Sequence, residues 1–157
     1  MPINPGGLAI RASVSGAMLA VILMPQLAWA ALGEPEASIT NEAQQLKAAI
    51  KSTERANYRV HEIQLPSGTT LREYAAAGGS VFGIAWSGPA MPDLRQALGR
   101  YFDGYVTAAK AKHGVRHHFE VRQDAFVMQS GGHMRAFAGR AYVPQGLPAG
   151  LSPDEIR

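Results

Sequence analysis

Two short stretches combine residue types that could carry out chemistry. The first is His117-His118-Phe119-Glu120, with imidazoles and a carboxylate of the kind that ligate metal ions. The second is Ser130-Gly131-Gly132-His133, where a serine close to a histidine suggests acyl transfer and paired glycine amides suggest an anion-binding nest. A third candidate, Trp86 in Trp86-Ser87-Gly88-Pro89, could offer an aromatic face to a sugar or peptide at a sheet edge. Each has a plainer reading. On a strand the adjacent His117 and His118 point to opposite faces and cannot chelate one ion together. His118 and Glu120 share a face, but a third ligand would have to come from His61, His113 or His133 without diagnostic spacing. The Ser130 stretch has no Gly-x-Ser-x-Gly elbow, no helix opening after its glycines and no acid placed to orient His133. Glycines serving a hairpin loop explain the same residues, and a tryptophan where a strand ends more often fills the core. The sequence contains no glycine-rich phosphate loop, no zincin motif and no close carboxylate pair of the glycosidase type. No catalytic residue, metal ligand or cofactor is therefore assigned. Trp86, Ser130, Gly131, Gly132 and His133 stand as ligand-binding candidates.

The elements that must position these residues follow from periodicity. From Thr40, a suitable N-cap, Ala43, Leu46, Ala49 and Ile50 recur at helical spacing to about Thr53 and predict a minor helix. Lys47, Lys51 and Arg55, four apart, form a basic ridge on it, either a solvated face or a contact for an anionic envelope component. Tyr58–Leu65, Thr69–Ala75 and Ser80–Ser87 are rich in strand formers and are separated by Pro66-Ser67-Gly68 and Ala77-Gly78-Gly79, which predicts an antiparallel meander. In the third strand Phe82, Ile84 and Trp86 share a large face, and Val81, Gly83 and Ala85 make a small one able to admit another layer closely.

The main helix is predicted from Pro92-Asp93 to His113-Gly114, with Leu94, Leu98, Tyr101, Phe102, Tyr105 and Ala109 on one stripe. Gly99 and Gly104 inside it cost about 1 kcal/mol each relative to alanine, so each marks a bend or a close approach to the backbone. Val115–Arg122 alternates as a half-buried strand, Ala125–Gln129 continues the sheet, Ser130-Gly131-Gly132 is a loop, and Met134–Val143 is the last strand. Pro144, Gly146, Pro148, Gly150 and Pro153 predict a coil-like C-terminus from 144 lying on the surface. The expected fold is α+β: an antiparallel sheet of five to six strands with one main and one minor helix packed on it.

The absence of cysteine excludes disulfides, thiolate zinc sites and cysteine nucleophiles, and 17% charged with 46% apolar residues excludes a disordered polyampholyte. Arg11, the apolar run from Ala17 to Ala28 and the small-x-small site Ala28-Trp29-Ala30 have the form of a secretory signal peptide over residues 1–30, cleaved between Ala30 and Ala31. The run is too short for a membrane span and is interrupted by Pro25 and Gln26, so no stable membrane anchor is expected after cleavage. Removal of the leader takes only Arg11 from the 15 basic side chains and leaves 14 against 12 acidic ones, too even a balance for a nucleic-acid binder. Residues 31–39 are expected to form a mobile leader and residues 40–157 a single domain.

Leu71-Arg72-Glu73-Tyr74, Val81 to Pro89, Pro92-Asp93-Leu94-Arg95, Gly99-Arg100-Tyr101-Phe102 and Ser130 to Met134 occur in an order that resembles the exported proteobacterial family catalogued as domain of unknown function 2844, common in Burkholderia-like bacteria. The likeness extends to the Ala-Trp-Ala-Ala-Leu-Gly junction after the leader. It implies a Gram-negative exported protein, periplasmic or fully secreted, and brings no catalytic residues. Three roles then compete. The first is a non-enzymatic module binding a periplasmic protein or an envelope ligand through its sheet and the Ser130–His133 loop. The second is a small hydrolase or metal-dependent enzyme using His133, Ser130, His118 and Glu120. The third is a structural envelope component associating through an open sheet edge.

Overall fold

The structure is a computed structural model and describes residues 31–39, 49–111 and 118–157. Its frame is one antiparallel sheet of seven strands: β1 (Ile50–Glu54), β2 (Tyr58–Gln64), β3 (Thr70–Ala76), β4 (Val81–Gly88), β5 (His118–Arg122), β6 (Val127–His133) and β7 (Ala136–Tyr142). The spatial order is β1-β2-β3-β4-β7-β6-β5, so the first four strands form a meander and the last three fold back against β4. Between the halves lie helix α1 (Leu94–Leu98), a 3-10 turn (Gly99–Tyr101) and helix α2 (Phe102–Ala111).

Alternation of side chains gives the sheet two apolar faces. On one, Ile63, Leu71, Ile84, Trp86, Met128 and Ala141 meet Leu32, Ala97, Leu98 and Phe126. On the other, Tyr74, Phe82, Ala85, Val127 and Tyr142 are covered by Ile156, with Leu147 and Leu151 beside them. The main helical segment thus covers the first face and the chain after β7 covers the second. A cover on both faces explains why β4, the strand between the two halves, is buried from Val81 to Trp86.

The sheet has seven strands rather than five to six, and the additional one is β1. Its residues Ile50–Glu54 fall where the minor helix was expected to end; the rest of that helix, residues 40–48, lies outside the described residues. Lys51 and Arg55 stay on one face by either period, because residues four apart align in both a helix and a strand. Phe82 does not share a face with Ile84 and Trp86. The β3–β4 register shifts between Tyr74 and Ala75, leaving Phe82 as the extra residue of a bulge and turning it into the opposite core. Gly83 does admit a second layer, since Ile156 Cδ1 lies 3.0 Å from where its Cβ would stand.

The main helix is broken at Gly99 (φ +49), where a Cβ would stand 2.6 Å from the Cβ of Ala31. Bend and close approach coincide at that residue. Asp93 is the N-cap, accepting from Arg95 N at 2.9 Å and Gln96 N at 3.3 Å. The expected helix end at His113-Gly114 and the start of the following strand, including His117, lie outside the described residues.

Residues 31–39 are packed where a mobile leader was expected, and the coil-like chain from 144 lies on the sheet anchored by short turns and one buried side chain. Residues 31–39 form a strap: Leu32 and Ile39 are fully buried, Leu32 N donates to Ala97 O, and Pro35 bridges to Ser80. Burial of these two apolar side chains, together with that of Ala31, seats a segment that also carries Glu34, Glu36 and Ser38. From 144 onward the chain makes 3-10 turns at Pro144–Gly146 and Pro153–Glu155, the latter closed by a Ser152–Glu155 capping box, and it buries Ile156. Arg140 holds this segment down by donating to Pro153 O at 2.7 Å and Asp154 Oδ1 at 2.8 Å.

Candidate functional site

A groove of about 450 Å³ lies on the second face, over β1, β2 and β3. Strand register builds its floor in rows. Lys51, Glu62 and Arg72 lie side by side, Thr53, Val60 and Tyr74 form the next row, and Arg55 and Tyr58 begin the third. Successive rows are two residues, roughly 7 Å, apart along a strand. Glu155 and Arg157 from the C-terminal segment form the opposing wall.

That wall is fixed by Tyr74. Its hydroxyl donates to Arg157 O at 2.9 Å and accepts from Arg157 N at 3.0 Å. Burial raises the Tyr74 pKa against the opposing influence of the Arg157 hydrogen bond, so the hydroxyl stays protonated and keeps both bonds. Ile156, clamped over Gly83, seats the same segment one residue earlier. Within the floor Arg72 Nε donates to Glu62 Oε2 at 2.8 Å, and Glu155 spends its carboxylate on the Ser152 amide at 3.1 Å.

A second polar constellation occupies the other face of β1 and β2. Ser52 and His61 are direct cross-strand partners. Arg55 N donates to Tyr58 O and Gln64 N to Ala49 O, so the odd residues of β1 carry the ladder bonds. Ser52 and His61 therefore form the pair without backbone bonds, the kind in which side chains approach most closely. Ser52 Oγ lies 2.8 Å from His61 Nδ1, and His61 Nε2 lies 2.8 Å from Glu36 Oε1 on the strap. Arg59 Nη1 reaches both Glu36 oxygens, at 2.5 and 2.6 Å. Burial acts to raise the Glu36 pKa, but the hydrogen bonds and charges of Arg59 and His61 outweigh it and hold the carboxyl below its ordinary value. An ionised Glu36 fixes the proton on His61 Nε2 and leaves Nδ1 to accept from Ser52. Glu73, fully buried, stands opposite His61 on the same face.

The residues singled out in the sequence fall elsewhere. Trp86 is buried in the core with its indole over Gly139, its cross-strand partner, where a Cβ would collide with the ring. It has almost no surface to offer a ligand, and its Nε1 has no hydrogen-bond partner among the described residues. Ser130, Gly131, Gly132 and His133 are consecutive residues of β6, not a loop. The turn comes later, at Met134 and Arg135, with Arg135 at φ 68. Gly132 has φ +128 because the β7 backbone at Ala136 and Phe137 occupies the place of a side chain. Ser130 and His133 fall on opposite faces of the strand, so they make no serine–histidine pair. His118 lies opposite Gly131, on the face of Glu120. Glu120 is bound by Arg122 at 2.5 Å and by Gln129 at 3.0 Å, and the Gln129 hydrogen bond leads in holding its pKa down. Among the described residues no group of three His, Cys, Asp or Glu side chains could hold a metal ion.

Sequence periodicity does not reveal the groove or the relay, because both depend on β1, where a helix is expected, on residues 31–39, where a mobile leader is expected, and on a surface coil whose one buried residue builds a wall. No alternation marks β1 in the sequence, since Lys51-Ser52-Thr53-Glu54-Arg55 is polar at every position and fits an exposed helix or an edge strand alike.

Fold and groove together define a class: a seven-stranded antiparallel sheet, covered on both faces, with a polar concavity at one end. The chain belongs to the family described as Protein of unknown function (DUF2844), whose model matches residues 28–156. No curated protein and no solved structure matches it.

Proposed function

We propose that the protein is an exported, non-enzymatic binding module of the cell envelope, with the groove over β1, β2 and β3 as its ligand seat. The observation that carries this reading is the construction of the groove. About 450 Å³ of concave space lies between a ladder-bonded floor and a wall pinned by Tyr74 and Ile156, so the chain's own bonds hold its shape. Among the described residues its lining holds four cations, a threonine, a valine, two tyrosines and two carboxylates already bound to Arg72 and the Ser152 amide, but neither histidine nor a serine to serve as base and nucleophile. Such a surface binds rather than transforms. The leader over residues 1–30 and the small-x-small site before Ala31 support export, after which partners would be envelope ligands or periplasmic proteins.

The test is a titration of the isotope-labelled protein with the small-molecule fraction of an envelope extract. Saturable amide shifts concentrated at Thr53, Tyr58, Val60 and Tyr74 are expected. Shifts confined to the β6–β7 hairpin, or none, would contradict the groove as seat.

The Ser52–His61–Glu36 relay favours one second reading, an ester hydrolase with Ser52 as nucleophile, since hydroxyl, base and orienting carboxylate stand in sequence at 2.8 Å steps. It ranks below the first. Arg59 already neutralises Glu36 through both oxygens, which weakens the support Glu36 could lend an imidazolium. Labelling of Ser52 by a fluorophosphonate, lost in His61→Ala, would establish it; an unlabelled Ser52 removes it.

A further inference from the structure

We infer that the groove takes a phosphate monoester, held as its dianion between Lys51 and Arg55 on the floor and Arg157 on the wall. The inference rests on the groove being the ligand seat and specifies what that seat recognises.

It starts from how the cations of the molecule are used. Arg59, Arg72, Arg122 and Arg140 each bind a carboxylate, and Arg95 and Arg100 lie over the rings of Phe102 and Tyr101. Lys51, Arg55, Lys110, Arg135 and Arg157 are the cations among the described residues whose charged groups have no such partner. Of these, Lys51, Arg55 and Arg157 line the one groove. Cations that share a concavity repel one another, and Glu62, bound to Arg72, and Glu155, bound to the Ser152 amide, offset them only in part, so an entering anion relieves the remaining repulsion.

The chemistry of the anion follows from charge and donors. The side chains lining the groove include four cations against two carboxylates, an excess of two. A phosphate monoester carries a charge of roughly −1.5 to −2 at neutral pH, more than the single charge a carboxylate would bring to these cations. Arginine forks and a lysine point charge approaching from floor and wall suit a tetrahedral group whose oxygens point several ways; a planar carboxylate is satisfied by one fork. The Thr53 hydroxyl stands between Lys51 and Arg55 on the same strand face and supplies a neutral donor to the same ligand. Val60 and Tyr58 beside it provide apolar area for the organic part of the ester.

Two sources share this chemistry, soluble sugar or glycerol phosphates and a phosphatidic-acid headgroup. The experiment uses protein purified from expression of the full-length sequence, titrated with sn-glycerol 3-phosphate, with inorganic phosphate, with acetate, and with phosphatidylcholine vesicles with or without phosphatidic acid. The expected result is saturable shifts at Thr53, Tyr58 and Val60 with glycerol phosphate and inorganic phosphate, and binding to acetate weaker by roughly tenfold or more. Lys51→Ala and Arg55→Ala should each lose roughly tenfold in affinity, as removal of a charge-assisted bond does. Lys110→Ala, which removes an unpaired cation far from the groove, should bind as the wild type does. Binding to the phosphatidic-acid vesicles beyond that of the soluble esters assigns the lipid source; equal or absent vesicle binding assigns the soluble one. Acetate binding as tightly as phosphate, an equal loss in Lys110→Ala, or no saturable shift with any phosphate overturns the inference. A groove that responds to envelope extract while ignoring every phosphate keeps the seat and removes only this ligand class.

Discussion

Glu36 joins the strap to the sheet through a single carboxylate, and its protonation state sets how strongly. Its folded-state pKa lies below the ordinary value because Arg59 and His61 stabilise the charged form in excess of the burial penalty. A group depressed in this way contributes stability that is fully present above its unfolded pKa, about 4.3, and is lost as pH falls through the lower folded value. Glu36→Gln should therefore cost roughly 1–3 kcal/mol at neutral pH, with the gap from wild type closing below about pH 4. Urea midpoints measured across that range check the sign, and a gap that widens on acidification contradicts it. Gly139 supplies a second test at this scale. A methyl there collides with the Trp86 indole, so Gly139→Ala should destabilise by about 1–3 kcal/mol. An unchanged melting temperature would mean that the ring has room to move. The core role of Trp86 was legible as the plainer of its two readings. The role of Glu36 was not, because its partners lie more than twenty residues away and the pairing exists only once β2 and the strap are side by side.

Elements decide whether the groove exists. The C-terminal segment was expected as surface coil on account of its prolines and glycines, and it does lack regular helix or strand. Sequence periodicity says nothing about a single buried residue, though, and Ile156 is what turns that coil into a wall. Ile156→Ala should cost about 2–5 kcal/mol through the vacated space over Gly83, and it should release Arg157 from Tyr74. Hydrogen exchange would then rise first from Leu151 to Arg157, while protection of β4 and β7 persists; uniform loss across the sheet would contradict a local role. The meander β2–β3–β4 was legible almost to the residue, since its turns carry the glycines and proline that such turns require. The β1 strand was not, because a four-residue spacing of Lys51 and Arg55 fits helix and strand alike. The displaced Phe82 shows the same limit: one extra residue in a bulge reverses the face that strict alternation assigns.

For the whole molecule, one sheet covered on both faces places the relay with the strap and the groove with the C-terminal wall, on opposite sides of β1 and β2. A product cleaved between Ala30 and Ala31 would retain Ala31 against Gly99 and Leu32 in the core. N-terminal sequencing of the protein recovered outside the cytoplasm should begin at Ala31, and recovery of Met1 on that product would contradict export by a cleaved leader. The central claim is that the groove is where this protein meets its ligand. It is tested most directly by comparing the wild type with Thr53→Trp, a bulky strand-forming residue that fills the floor while leaving both cores untouched, in calorimetric titrations with the same envelope fraction. Saturable heat in the wild type that disappears in the equally stable variant is the predicted result; identical isotherms for the two proteins would place the ligand elsewhere.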